Sequence, residues 1–275
     1  MPSLCVRRTE YIVRGLAGHT ATVPPDRSSA GDPARTLALL WRVPPASRRG
    51  PRPGQSVDEV VDVAIRLADT EGLDTVTMRR VAQLAGIAPM SLYTYVPGKA
   101  ELLDLMLDTA YARMDRADTA GRSWQERVAA VAEENRALFA AHPWAASIAT
   151  GRPPLGPGQM AKYEHELRAL DGLGLPDVEL DAALAQLLAF VRAHARDTAD
   201  AQAAERDSRL DDEQWWAANA PLLARVLDPA AYPVAARVGT AAGQAHHSTW
   251  NADHAWAFGL TTLLDGFAAL VARRT

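Results

Sequence analysis

A single cysteine, Cys5, is all the sulfhydryl chemistry this chain has, so no disulfide can close within it and a reducing compartment is expected. Lysine is nearly missing as well: Lys99 and Lys162 are the only two, and arginine carries almost all the positive charge. Aromatic residues make up only 6% of the sequence, although seven of them are Trp. No apolar run reaches the roughly 20 residues of a membrane span. The N-terminus mixes Arg7, Arg8, Glu10 and Arg14 with its apolar residues and lacks a secretory core segment. The signatures of catalysis are absent too. There is no Gly-x-Ser-x-Gly elbow. The glycine-rich stretch from Gly151 to Gly158 lacks the Gly-Lys-Ser/Thr end of a phosphate loop. Glu133-Glu134 has no Glu-x-x-His partner, and His246-His247 has no carboxylate three or four residues on, so neither makes a metal site. These absences lead us to expect a soluble cytoplasmic protein that is not an enzyme and needs no cofactor or metal.

What is present favours helices. The 275 residues are 48% hydrophobic, with alanine prominent, and 23% charged, enough for one large or two modest domains. The net charge of −4 conceals an asymmetry: residues 1–55 hold nine arginines against Glu10, Asp26 and Asp32, a surplus of six, which leaves −10 on the remainder. A basic arm on an acidic body is a common way to bind DNA without coating the whole protein in charge. The arm, 1–54, is rich in Pro, Gly and Ser and is expected to be mostly flexible. Within it Thr36 to Arg42 reads as a short helix or docking segment. Arg48, Arg49 and Arg52 are placed to reach phosphates or a minor groove.

The most informative stretch is Thr77 to Val96. Thr77 caps a short helix, about 78–85. Gly86 supplies the left-handed residue that ends it. Pro89 opens a second short helix, about 89–96. Val81, Ile87, Leu92 and Val96 would pin both to a shared core, with Ala82 small where the axes approach. Met90, Ser91, Tyr93, Thr94 and Tyr95 remain outward. Hydroxyls and aromatics without acids suit phosphates and base edges better than they suit an ordinary solvated face. Ahead of this pair, Ser56 and Glu59 form a capping box for a helix over 57–71, ended by Gly72.

The run from Gly72 to Leu103, with Met78-Arg79-Arg80-Val81-Ala82, Ser91-Leu92-Tyr93-Thr94-Tyr95-Val96 and Lys99-Ala100-Glu101-Leu102-Leu103, resembles the DNA-binding domain of the TetR family of bacterial regulators. The resemblance implies a three-helix head over 55–100 that reads an operator through Thr77, Arg79, Met90, Ser91, Tyr93, Thr94, Tyr95 and Lys99. It also implies a fourth helix, about 99–117, linking the head to a helical effector-binding and dimerisation domain over 101–275. Further on, Trp124-Gln125, His142-Pro143-Trp144, Gly151-Arg152-Pro153 and Tyr163 through Gly174 resemble the tetracycline-repressor type of C-terminal domain. Those repressors place a magnesium-binding histidine where this chain has Ser147-Ile148-Ala149-Thr150, so tetracycline itself is not expected.

The body reads as all helix: about 123–141, a short turn at 144–149, 159–171, 178–206 and 252–273, with 211–249 irregular. The helices over 178–206 and 252–273 are apolar enough to form a dimeric four-helix bundle. Asn135, Arg192 and His194 lean inward and need polar partners. With Phe139, Trp144, Tyr163 and Phe190 they are the candidates for an effector pocket. The fold class is therefore all-α. The function expected is a dimeric repressor of a palindromic operator, released by a small apolar or aromatic effector. The alternatives are an activator or a ligand-independent regulator, and, from another class, a helical enzyme with a vestigial head. The sequence leaves open the operator, the effector, the regulated genes, and whether residues 1–36 belong to the functional protein.

Overall fold

The structure, a computed structural model, describes residues 32–43, 56–148 and 152–274. Within them are twelve α-helices, one turn of 3₁₀ helix at Leu73–Thr75, and no strand. The head is α2 (Val57–Glu71), α3 (Met78–Leu84) and α4 (Pro89–Tyr95), each end within one residue of its expected place. The capping box is real: Ser56 Oγ accepts the Glu59 N–H at 3.1 Å, and the Glu59 carboxylate accepts the Ser56 N–H at 2.7 Å. Thr77 Oγ1 accepts the Arg80 N–H at 3.2 Å to start α3. Gly86, at φ +70°, turns the chain into α4. Val60, Val61, Ala64, Val81, Ala82, Leu92 and Val96 close the core between the three helices.

The head continues into α5 (Lys99–Arg113), whose residues from Glu101 to Asp108 are all buried. Leu102, Leu103, Leu105, Met106 and Leu107 are each at most 1% exposed. A helix buried on every side sits in the middle of a structure, and each of these five apolar side chains contributes roughly 1.5–3 kcal/mol by leaving water. The body surrounds it. The helix α8 (Pro157–Leu170) packs along α5 and against α6 (Trp124–Ala141), while α9 (Asp177–Ser208) covers α6, α8, the short α7 (Pro143–Ser147) and α12 (Ala252–Ala272).

The contact between α5 and α8 is unusually close. No side chain of its own caps α8. Instead Asp108 of α5 receives the N–H of Gln159 at 2.8 Å and that of Gly158. The carboxylate thus serves as a cap from another helix, where the α8 dipole favours negative charge. Burial raises its pKa above the ordinary value, and the two N–H donors and nearby Arg42 oppose that shift. Glycine is required here: a Cβ on Gly158 would sit 1.9 Å from the Asp108 carbonyl oxygen, and one on Gly156 2.3 Å from the Asp108 Cγ.

The short helix expected at Thr36 to Arg42 is present as α1 (Pro33–Leu40), capped by Asp32, with Leu40 2% exposed in the common core. Two expectations are corrected. Residues 211–249 are not irregular, but form α10 (Asp212–Val226) and α11 (Pro233–His246). Finally, α12 is long and apolar enough, by length and composition alone, to cross a membrane, with little of it buried in the protomer. Thr261, Thr262 and Asp265 interrupt its apolar run, so the span stands out in the average hydropathy and not as an unbroken stretch.

Gly158→Ala is expected to cost about 1–3 kcal/mol through overpacking against α5, read as a lower thermal midpoint. An unchanged midpoint would show that α8 is not held against Asp108.

Candidate DNA interface and effector site

Between Asp74 and Glu101 the chain has no acidic residue. Folding gathers this acid-free stretch onto α3, α4 and the start of α5. On α4, Leu92 turns inward, while Met90 is 78% and Tyr93 43% exposed, with Ser91 and Thr94 beside them. Thr94 Oγ1 donates to the Ser91 carbonyl at 2.6 Å, which fixes its rotamer. Arg79 is exposed, whereas its neighbour Arg80 is held by Glu71 of α2 at 3.2 Å. Only Arg79 of the pair is therefore free of that tie. Thr77 is exposed with its hydroxyl occupied as a cap, and Lys99 is half-buried at the start of α5. Tyr95 differs from the expectation of an outward residue, since it is half-buried against the core. Arg48, Arg49 and Arg52 lie outside the described residues.

The seven residues expected around an effector do not share one site. Asn135 and Arg192 belong to a buried polar cluster between α5, α6, α8 and α9. Asn135 Nδ2 donates to Glu166 Oε1 at 2.6 Å and to the Val131 carbonyl at 2.9 Å. Lys162 Nζ donates to the same Glu166 oxygen at 2.5 Å and lies 5.3 Å from the centre of the Tyr111 ring. Burial lowers the Lys162 pKa, with Glu166 opposing the shift, and pushes that of Tyr111 up to about 12. Four buried atoms here, Asn135 Oδ1, Glu166 Oε2, Arg116 Nε and Arg192 Nε, have no partner within the protein. Buried polar atoms in that condition are uncommon. Two of them accept and two donate. A cavity of about 500 Å³ opens beside Arg116, lined also by Met114, Glu133, Glu134 and Leu138.

Phe190 and His194 belong to a different cluster between α9 and α12. Phe190 stacks on Trp256 at 5.2 Å, and His194 meets Trp256 at 5.0 Å and Trp250 at 6.0 Å. Arg136 lies 4.8 Å over the Trp256 ring. Gly259 makes room, since a Cβ there would fall 2.3 Å from the Phe190 ring. Burial lowers the His194 pKa, with Arg136 adding to the shift, so its neutral form is favoured. The remaining three residues are spoken for. Phe139 is core, Tyr163 donates to Asp181 at 2.8 Å, and the Trp144 indole donates to Asp69 of α2 at 2.6 Å. Asp69 also receives His142 at 2.8 Å. Trp144 thus ties the body to the head.

Residues 60–106 match the model for bacterial regulatory proteins of the tetR family, and residues 118–271 match that for the tetracyclin repressor-like C-terminal domain. The chain belongs to the TetR family. It is 41% identical over 262 residues to the HTH-type transcriptional repressor DrrR1 of Streptomyces coeruleorubidus, covering 94% of this chain and 93% of that protein. Apo ActR of Streptomyces coelicolor matches with a TM-score of 0.66 at 26% identity, over 82% of this chain and all of that one. ActR in complex with actinorhodin also gives a TM-score of 0.66, at 29% identity, over 78% of this chain and 96% of that one. The chain is thus similar to transcriptional regulators along nearly its whole length.

For a TetR protein, the sequence reading missed Lys162, Glu166, Tyr111 and Arg116. One signal was available. Lys162 is one of two lysines, with a glutamate four residues on, a spacing that puts both on one helix face.

Two outcomes test these sites. Arg79→Ala should cost about 1–3 kcal/mol on the preferred operator and relax specificity at one base pair; equal loss on every single-base variant would make Arg79 a phosphate contact. Glu166→Gln leaves the Lys162 ammonium buried without its counter-charge and should cost about 3–5 kcal/mol, most of it recovered in Lys162→Met with Glu166→Leu. If the double variant is as unstable as the single one in denaturant unfolding, the pair is not the buried unit described.

Proposed function

We propose that this chain is a ligand-responsive transcriptional repressor: a cytoplasmic homodimer without enzymatic activity, whose head, 55–100, binds a palindromic operator and whose body, 101–275, binds a small effector. One observation carries the reading. A single buried helix, α5, has the acid-free stretch of the head at one end and, at the other, Tyr111 within the buried cluster that holds four unpartnered polar atoms. A group that binds beside Tyr111 and Arg116 bears directly on the helix that carries the head.

The effector fits a molecule with an apolar body and both hydrogen-bond donors and acceptors. Donors on it answer Asn135 Oδ1 and Glu166 Oε2, and acceptors answer Arg116 and Arg192. Besides the apo form, similar structures include ActR in complex with (S)-DNPA and with actinorhodin, and this likeness supports a small-molecule effector here. Helices α9 and α12 form the dimer face. Phe258 of α12 is 68% exposed, and α10 and α11 add Leu222, Val226, Tyr232 and Val234 as exposed apolar residues. A second protomer covering α12 accounts for its apolar surface without a membrane.

Footprinting on the DNA upstream of its own gene is the test. It should show a protected inverted repeat, and ligands that quench tryptophan should weaken that binding about 5- to 150-fold. The Lys162→Met, Glu166→Leu protein should bind DNA yet lose the ligand response. The absence of any sequence-specific protection would refute the regulator, and a quenching ligand that leaves DNA affinity unchanged would break the link to the body.

A further inference from the structure

The helix α1 lies in the segment that precedes both matched domains, and it touches three parts of the molecule at once. Leu40 enters the core against α5. The Trp41 indole N–H donates to the Leu155 carbonyl at 2.8 Å, in the loop that leads into α8. The Arg42 guanidinium makes two bonds to Asp58 Oδ1, from Nε at 3.0 Å and from the terminal nitrogen at 2.5 Å, on the first turn of α2. The segment therefore joins the head's first helix to the body loop across the outside of α5.

Its own end is built for this. The Val43 N–H reaches the Ala38 carbonyl at 2.8 Å and the Arg42 N–H that of Leu39 at 3.2 Å, the paired bonds of a Schellman cap. Arg42 occupies the left-handed position at φ +53°, where glycine is the ordinary residue. An arginine there is held at a conformational cost that glycine would not bear. Its side chain also donates to the Leu39 and Leu40 carbonyls, so one residue closes α1 and reaches α2.

We infer that α1 with Trp41 and Arg42 is a brace that fixes the angle of the DNA-binding head on the body, and that it thereby sets the operator spacing the dimer accepts. The inference rests on the dimeric regulator proposed above. Trp41 and Arg42 are positioning residues: they touch no DNA, and they act through α2 and the loop before α8.

The test uses the full chain with Cys5→Ser and a spin label at Met90→Cys, on the exposed face of α4. Electron–electron double resonance then reads the distance between the two heads. Arg42→Gly keeps the left-handed turn and removes the guanidinium, and Trp41→Phe keeps the ring and removes the indole N–H, so both are expected to fold. In the combined variant the head-to-head distance distribution should broaden. In the unlabelled protein, the wild-type preference for the natural half-site spacing over spacings one base pair longer or shorter should shrink by roughly 2- to 30-fold. Affinity for an isolated half-site should not change. An unchanged distance distribution and unchanged spacing preference, in a protein that still dimerises and binds its operator, would overturn the brace and leave the regulator standing. No dipolar signal in the labelled parent protein, or no operator binding by the unlabelled wild-type chain, would refute the regulator and the brace together.

Discussion

The Asp108 carboxylate, seated under the N-terminus of α8, is the contact on which the rest of the arrangement depends. It replaces a cap that α8 lacks, and Gly156 and Gly158 let the two helices approach to the distance this requires. Because α5 is buried on every side, it has no solvent face on which to slide. A displacement of α8 or α6 must therefore be taken up by α5 as a body, and α5 runs without interruption from the head's last turn to Tyr111. In close-packed interiors small shifts are passed on rather than absorbed. This is the physical basis for one end of the molecule reporting on the other.

The polar cluster beside that helix is costly. A lysine and a glutamate taken out of water are repaid only by good geometry and by satisfied hydrogen bonds. Here the Lys162–Glu166 pair is tight, but Glu166 Oε2, Asn135 Oδ1 and two arginine Nε atoms are left over. Apolar residues of similar volume would hold the body together about as well. Of the residues with atoms left over, Arg116 also lines the cavity of about 500 Å³, and the unfilled bonding capacity is what the proposed effector site rests on.

The head was legible because its signals are local. The Ser56–Glu59 box, the Thr77 cap, the left-handed glycines and Pro89 each fix an end by the chemistry of a few neighbouring residues. The hairpin of α10 and α11 was not, because the periodic pattern that marks a helix comes from burying one face, and α10 buries no residue in its own protomer. The capping box of Asp211 with Gln214 and Pro233 at the first turn of α11 were the available cues. Which of the inward-leaning residues lie together was not legible, for a related reason. Sequence shows which residue types favour the interior, but not which interior cluster they join. Asn135 and Arg192 fell into one cluster, Phe190 and His194 into another, and Trp144 into the joint with the head. The short helix in the arm was readable from its composition, but its contacts with Asp58 and Leu155 span separations no local pattern reveals.

Amide hydrogen exchange at α5, with and without the operator fragment, tests the central claim most directly. If α5 is the rigid link between body and head, its amides from Glu101 to Tyr111 exchange only by global unfolding, while those of the exposed α10 exchange by local opening. Operator binding then slows α4 and leaves α5 unchanged, as for a helix that moves as a unit. Exchange at α5 as fast as at α10, or local opening of α5 when DNA binds, would contradict the account.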